Sequence, residues 1–250
     1  MSLDRRSLLQ NCAAFSVYAL VAELAFARPR TSNLQARRWL AAQNDLADLL
    51  SAGKMRPSDW HREVNELSEQ VDLESLAFEL RRARIRDAGA PFGHDPQKRY
   101  VTVLGEDGLP LKLGYGLALF DFGPNSVITP HAHRYMASAH MVIDGRVRVR
   151  TFDRVRDDEG FLVIRPTQDV VAEPGHSAAM TSTTDNVHWF APRSKRAMTI
   201  DVIIDGLDKG KSRYLIEPVD PLRGRRLADG TIRAPLVSFE QSMELYSAES

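Results

Sequence analysis

The sequence predicts a mainly β protein, a barrel or sandwich of short strands behind a helical N-terminal segment. Three observations predict it. Apolar residues recur at helical spacing up to about Ile85, and beyond Asp95 they alternate with a period of two. The strands so implied are short and are separated by Gly, Pro, Asp and Asn, the punctuation of antiparallel connections rather than of βαβ units. Finally, His131 and His133 stand two residues apart on one such strand, so their imidazoles leave the same face. His188, on a later strand, can bring a third nitrogen to them.

A chain of 250 residues is long enough for one sizeable domain with an appendage, and 43% hydrophobic with 26% charged residues is a globular composition. The 33 basic and 33 acidic residues cancel, so no basic footprint for nucleic acid exists. The single cysteine, Cys12, supports neither a disulfide framework nor a thiolate metal site. It lies in a segment expected to be removed. Arg5 and Arg6 precede an apolar run from Ala13 to Phe26, and Ala25-Phe26-Ala27 offers a small-x-small cleavage site. This arrangement resembles a twin-arginine (Tat) export signal. The run is short for a bilayer and contains Glu23, so the expectation is a signal over 1–27, a periplasmic or secreted product, and no membrane span once it is gone.

Three one-sided stripes follow in the segment 28–95. Trp39, Ala42, Leu46, Leu49 and Leu50 make the first, ending near Gly53; Trp60, Val64, Leu67 and Val71 the second, with Ser58 as N-cap; Leu73, Leu76, Leu80 and Ile85 the third, with Asp72 as N-cap. Each stripe needs a surface to cover, and the reading is three helices packed on one another and on the outside of the barrel. Asp87 to Pro96 reads as a loop-rich boundary. Strands are then expected over 99–104, 113–122, 127–129, 138–143, 146–153, 161–164, 169–172, 178–181, 186–191, 197–204 and 212–216, within a barrel spanning 96–220. The tail 221–250 reads as a surface wrap.

From Gly123 through His131-Ala132-His133 to Gly145, with His188 later, the sequence resembles the cupin superfamily, whose motifs run G-x-n-H-x-H-x-n-E-x6-G and then to a further histidine. That resemblance implies a double-stranded β-helix, or jelly-roll, with His131, His133 and His188 as metal ligands. The superfamily's glutamate falls at Ser138, and no carboxylate stands between His131 and Ile143. Cupins lacking the glutamate include the thiol dioxygenases. The likeness is to those of the plant cysteine oxidase and cysteamine dioxygenase type, through His131-Ala132-His133-Arg134-Tyr135-Met136, Thr151-Phe152-Asp153 and Thr183-Thr184-Asp185-Asn186-Val187-His188-Trp189-Phe190. Their second motif reads T-x-G-N-x-H-x-F. Their aspartate in an L-D-V strand carries over to Asp201. Their nearby tyrosine has no match at Leu207, and Tyr214 is the candidate in its stead.

The resemblance implies an iron(II) oxygenase that adds dioxygen to a small-molecule thiol, as a monomer or homodimer. Mn, Zn, Ni and Cu remain open, since such a site binds several divalent ions. Two alternatives stay alive: another metal-dependent cupin enzyme acting on a non-thiol substrate, and a non-catalytic periplasmic cupin that binds a ligand or metal. His140 is placed near the metal as a supporting group or a fourth ligand. Arg134 and Tyr135 are candidates for a substrate carboxylate, and Tyr115 for the pocket wall. Arg148 and Arg150 are expected to face solvent, and Trp189, opposite His188 on its strand, to be core.

Overall fold

The computed structural model describes residues 34–90 and 95–247, so the expected signal segment, Cys12 and His94 lie outside the described residues. Three helices open it: α1 (Ala36–Ser51), α2 (Pro57–Glu69) and α3 (Leu73–Arg82). The Asp72 carboxylate caps α3 by accepting from the amides of Glu74 and Ser75, as its position before the apolar stripe predicts. At α2 the expectation of a Ser58 cap is corrected: the helix begins at Pro57, with Arg56 at the N-cap and no side-chain cap. Proline's fixed φ and missing N–H suit the first helical position, so no side-chain oxygen is required there.

The strands are β1 (Arg84–Gly89), β2 (Gln97–Thr102), β3 (Gly116–Phe122), β4 (Ile128–Arg134), β5 (Ala137–Asp144), β6 (Val147–Asp158) and β7 (Phe161–Ala172). They continue with β8 (Ser177–Met180), β9 (Val187–Pro192), β10 (Ala197–Ile204), β11 (Leu215–Pro218), β12 (Arg225–Arg226) and β13 (Ile232–Pro235), before a last helix α4 (Phe239–Tyr246). One antiparallel sheet has the order β1-β2-β3-β10-β5-β8 and the other β11-β4-β9-β6-β7-β13-β12. Four antiparallel pairs, β6 with β7, β5 with β8, β4 with β9 and β3 with β10, nest like one long hairpin. Successive pairs fall in alternate sheets, so the hairpin is rolled up. That is the double-stranded β-helix, a jelly-roll.

Three expectations are corrected. β1 lies inside the segment read as helical; its mostly exposed Arg84-Ile85-Arg86-Asp87 carries no apolar alternation, and pairing with β2 alone makes it a strand. The two runs 161–164 and 169–172 are one strand, β7, carried past Pro166 by a register shift against β6. The tail is not a loose wrap. β13 pairs with β7, and Ala234 and Tyr246 are wholly buried. Elements of two, four and eight residues are too short to carry a readable period.

Packing explains why β5 is buried along nearly its whole length. Its inward residues, such as Val142, join Phe122, Val149, Met180 and Phe190 inside the barrel. Its outward residues Met141 and Ile143 join Leu117, Leu119, Ile200 and Val202 against Trp39, Leu40, Trp60 and Val64 of the helices. Buried on both faces, the strand reads as a continuous apolar run. Asn65 of α2 also accepts the amide of Ala179 on edge strand β8, so the helix satisfies part of that edge. On the other sheet, Tyr246 of α4 packs edge-on to Trp189 at 4.8 Å and donates to Asp220 at 2.6 Å. In the β5–β6 turn Gly145 has φ +66°, and a Cβ there would collide with the Arg196 carbonyl, so only glycine fits. No helix among the described residues is long and apolar enough to cross a membrane.

Trp60 is completely buried between the helices and the sheet. Trp60→Ala is expected to lower the unfolding free energy by about 3–5 kcal/mol in urea titrations. A loss below about 1 kcal/mol would mean that the helices dock on the sheet without a shared core.

Candidate metal centre

β4 and β9 build the centre. His131 faces His188 across the strand pair, and His133 follows two residues along β4 on the same face. The register between β4 and β9 shifts between Ile128 and His131, a bulge of the kind that re-aims side chains beside a site. Nitrogens of His131, His133 and His188 all lie within 4.8 Å of one another, and no carboxylate belongs to the group. The Nε2 atoms of His131 and His133 are 3.0 Å apart.

The tautomers are set by backbone. His131 Nδ1 lies 2.8 Å from the Thr129 carbonyl and His188 Nδ1 lies 3.3 Å from that of Asn186. A carbonyl only accepts, so both Nδ1 atoms carry the proton and both Nε2 lone pairs point inward. Burial holds the imidazoles neutral: it lowers the pKa of His131 to about 4 and those of His133 and His188 well below the usual value. Neutral imidazole is the metal-binding form. Two cis ligands at the usual metal–nitrogen length of about 2.1 Å sit about 3 Å apart, which is the His131–His133 spacing. The three histidines therefore fit a divalent ion.

The loop before His188 is locked. Asp185 has φ +48°, a left-handed conformation, at the position where the resembling motif has glycine. Its buried carboxylate accepts from Thr151, Thr167, Gln168 and His61 of α2, and its amide donates to Asp153 at 3.0 Å. These partners hold it below the usual carboxylate pKa, overcoming the burial that raises it. The Asn186 side-chain amide donates to the carbonyls of His133 and Thr181 at 2.7 and 2.6 Å, tying the β9 loop to β4.

Beside the centre sits a second buried pair. His140 Nδ1 is 3.2 Å from Thr199 Oγ1, its Nε2 is 3.5 Å from Asp201 Oδ2, and its ring centroid is 6.3 Å from that of His188. Burial lowers His140 to about 3 and raises Asp201 to about 7. With a neutral imidazole and a carboxyl half protonated near neutrality, this is a polar contact rather than an ion pair. His140 is outside the ligand group.

A cavity of about 840 Å³ opens onto the three histidines, and His140, Asp201, Tyr115 and Tyr214 line it. The Tyr115 ring faces it, while its hydroxyl donates to the Leu40 carbonyl at 3.1 Å and ties α1 to the barrel. Tyr214 is half exposed at 52%. Arg134 and Tyr135 are not among the lining residues. Arg134 leaves β4 on the face opposite His133 and pairs with Glu217 and Asp157, and Tyr135, at φ +64°, makes the β4–β5 turn. The expectation that they meet a substrate carboxylate is thus corrected by alternation along the strand. Ser138, in the place of the superfamily's glutamate, is fully buried. Arg148 pairs with Asp169, Arg150 lies over the Trp189 ring at 3.9 Å, and Trp189 is core, as expected.

Sequence reasoning missed Lys98, which lines the cavity from β2, and the His61–Asp185 contact. One lysine at the start of a strand has no signature, and His61 meets Asp185 across 124 positions of chain.

No family model matches this sequence, and no curated protein matches it. Solved structures do. An oxalate oxidase aligns at 17% identity over 48% of this chain and 55% of its own, with a TM-score of 0.34. A sugar phosphate isomerase of the cupin superfamily from Silicibacter pomeroyi aligns at 16% identity over 64% of this chain and 90% of its own, with a TM-score of 0.36. A hydroquinone 1,2-dioxygenase aligns at 19% identity over 38% and 61%, with a TM-score of 0.30. The chain thus spans about half the length of the oxalate oxidase it matches.

The buried imidazoles make the metal-free protein acid-sensitive. Histidines whose folded pKa lies below the usual 6.5 take up protons on unfolding, so their stability is lost as pH falls from 6.5 toward about 4 for His131 and about 3 for His140. Asp201, raised to about 7 from 3.8, has the opposite sign and adds stability as pH falls through that window. His131, His133, His140 and His188 outweigh one carboxyl. Thermal melting of the metal-free protein is expected to fall steadily between pH 6.5 and 4; a flat profile would mean that the imidazoles are protonated in the fold.

Proposed function

We propose that this protein is an iron(II)-dependent oxygenase that adds dioxygen to a small thiol to give a sulfinate. The observation that carries the reading is a ligand group of three neutral histidines with no carboxylate. Such a group leaves the full charge of a divalent ion uncompensated and favours an anionic ligand such as a thiolate, whereas a two-histidine, one-carboxylate set cancels part of it. Iron(II), when bound by His131, His133 and His188, supplies the activation of dioxygen and a common point of attachment for both reactants.

The rest falls to the chain. Thr129 and Asn186 hold His131 and His188 in the ligating tautomer through their carbonyls. Phe120, Ile128 and Met136 wall the cavity with apolar surface and limit the water around a bound thiol. Asp201 and His140 present polar atoms to a substrate's polar end and orient it. Both atoms of one dioxygen end on sulfur; sulfur loses four electrons and dioxygen gains four, so no external reductant is consumed. Export through a twin-arginine-type signal belongs to the same proposal and places the enzyme outside the cytoplasm.

Protein spanning 28–250, loaded anaerobically with iron(II), is expected to consume oxygen when offered a thiol and to release the sulfinate. His188→Ala should lower the rate by more than about a hundredfold, since even groups that only support metal ligands cost 10–100-fold. Bound iron without thiol-dependent uptake would sink the thiol reading.

A further inference from the structure

We propose that Lys98 sets substrate specificity by receiving the acid group of the thiol, so that the substrate carries a carboxylate at the end away from sulfur. This rests on the thiol reading above and names the substrate class.

Lys98 lines the cavity that holds the three histidines. It pairs in register with Phe120 of the neighbouring strand. Its ammonium lies 5.2 Å from the Phe120 ring and 5.1 Å from the Tyr100 ring, and the Phe120 ring lies 5.0 Å from that of His140. Lysine, aromatic ring and His140 thus step across the inner face of the sheet toward the centre. Among the described residues no carboxylate pairs with this ammonium; its contacts are the two ring faces. The other cation lining the cavity, Arg213, is held by Asp205 at 2.8 Å. Arg134 is spent outside the barrel.

The remaining acids do not cancel Lys98. Asp205 belongs to Arg213. Asp201 is buried and half protonated near neutrality. Asp95 lies outside strand β2, three residues before Lys98. The charge of Lys98 reaches the centre, since it opposes protonation of both His133 and His140. A ligand with a thiolate at one end and a carboxylate at the other matches this field at both ends. A thiol ending in an ammonium would meet Lys98 with like charge.

The test is binding rather than turnover. Protein loaded with cobalt(II) under nitrogen is titrated with 3-mercaptopropionate and with cysteamine, reading the thiolate-to-cobalt absorption band. The wild type should bind 3-mercaptopropionate about tenfold or more tightly than cysteamine, the scale of one charge-assisted contact. Lys98→Gln should collapse that ratio, Lys98→Glu should invert it, and Lys98→Arg should retain it, all at unchanged cobalt stoichiometry. A wild type without preference for the acid, or a ratio unmoved in Lys98→Gln and Lys98→Glu, overturns the assignment of Lys98 while leaving the thiol reading intact. No absorption band with any thiol, in protein whose cobalt is lost in His188→Ala, overturns the thiol reading and this inference with it.

Discussion

The structure turns on keeping three imidazoles neutral and converging inside a barrel. An imidazole in a dry interior is tolerable only if its N–H finds an acceptor and its lone pair finds a cation or a proton. The rolled hairpin meets both demands. Backbone carbonyls of Thr129 and Asn186 take the Nδ1 protons of His131 and His188, and the pairing of β4 with β9 brings the Nε2 atoms together. Because the pairing is fixed by the roll, a one-residue slip of β4 would send both His131 and His133 to the opposite face. The apolar core around Phe122, Val142 and Phe190 therefore serves the site as well as stability: it pins the register on which the ligand set depends.

The helical segment has a matching role. It covers the outer face of one sheet, and through His61 it reaches past that face to Asp185. Asp185 gathers Thr151 and Thr167 from β6 and β7, His61 from α2 and the Asp153 carboxylate at its own amide, three residues before His188. A left-handed backbone is ordinarily glycine's role, and a non-glycine residue persists there only when its surroundings over-determine it. Here the aspartate side chain supplies the over-determination that glycine would not need. The helices and the metal centre consequently share one polar node.

How much of this was legible follows from the range of each interaction. Strand existence, the one-sided helices, the Asp72 cap and the His131, His133 and His188 set rest on spacings of two to four residues or on a short motif, and these are written locally. Ile85 was assigned to a helix because one apolar residue fits either period; its partner Val101, which makes it a strand, lies on another element. The outward aim of Arg134 was in principle readable, since it alternates with His133, but the lure of a cation beside two histidines outweighed the pleat. Lys98 and His61 were not readable at all. What gives them meaning is the register of β2 on β3 and the docking of α2, both set by tertiary packing rather than by their neighbours in sequence.

The absent carboxylate is the sequence feature with the widest physical consequence. Replacing glutamate by serine at position 138 removes a negative charge from the interior and leaves a small hydroxyl wholly buried in its place. Nothing in the ligand group restores that charge. Asp201, the nearest candidate, is pushed by burial toward its neutral form, and Lys98 adds charge of the other sign. A low-dielectric cavity amplifies such an imbalance, because the energy between charges scales inversely with the local dielectric. The site therefore selects against cations and neutral molecules before any shape is considered. The anionic partner that most chains of this architecture would build into the protein is left for the substrate to bring.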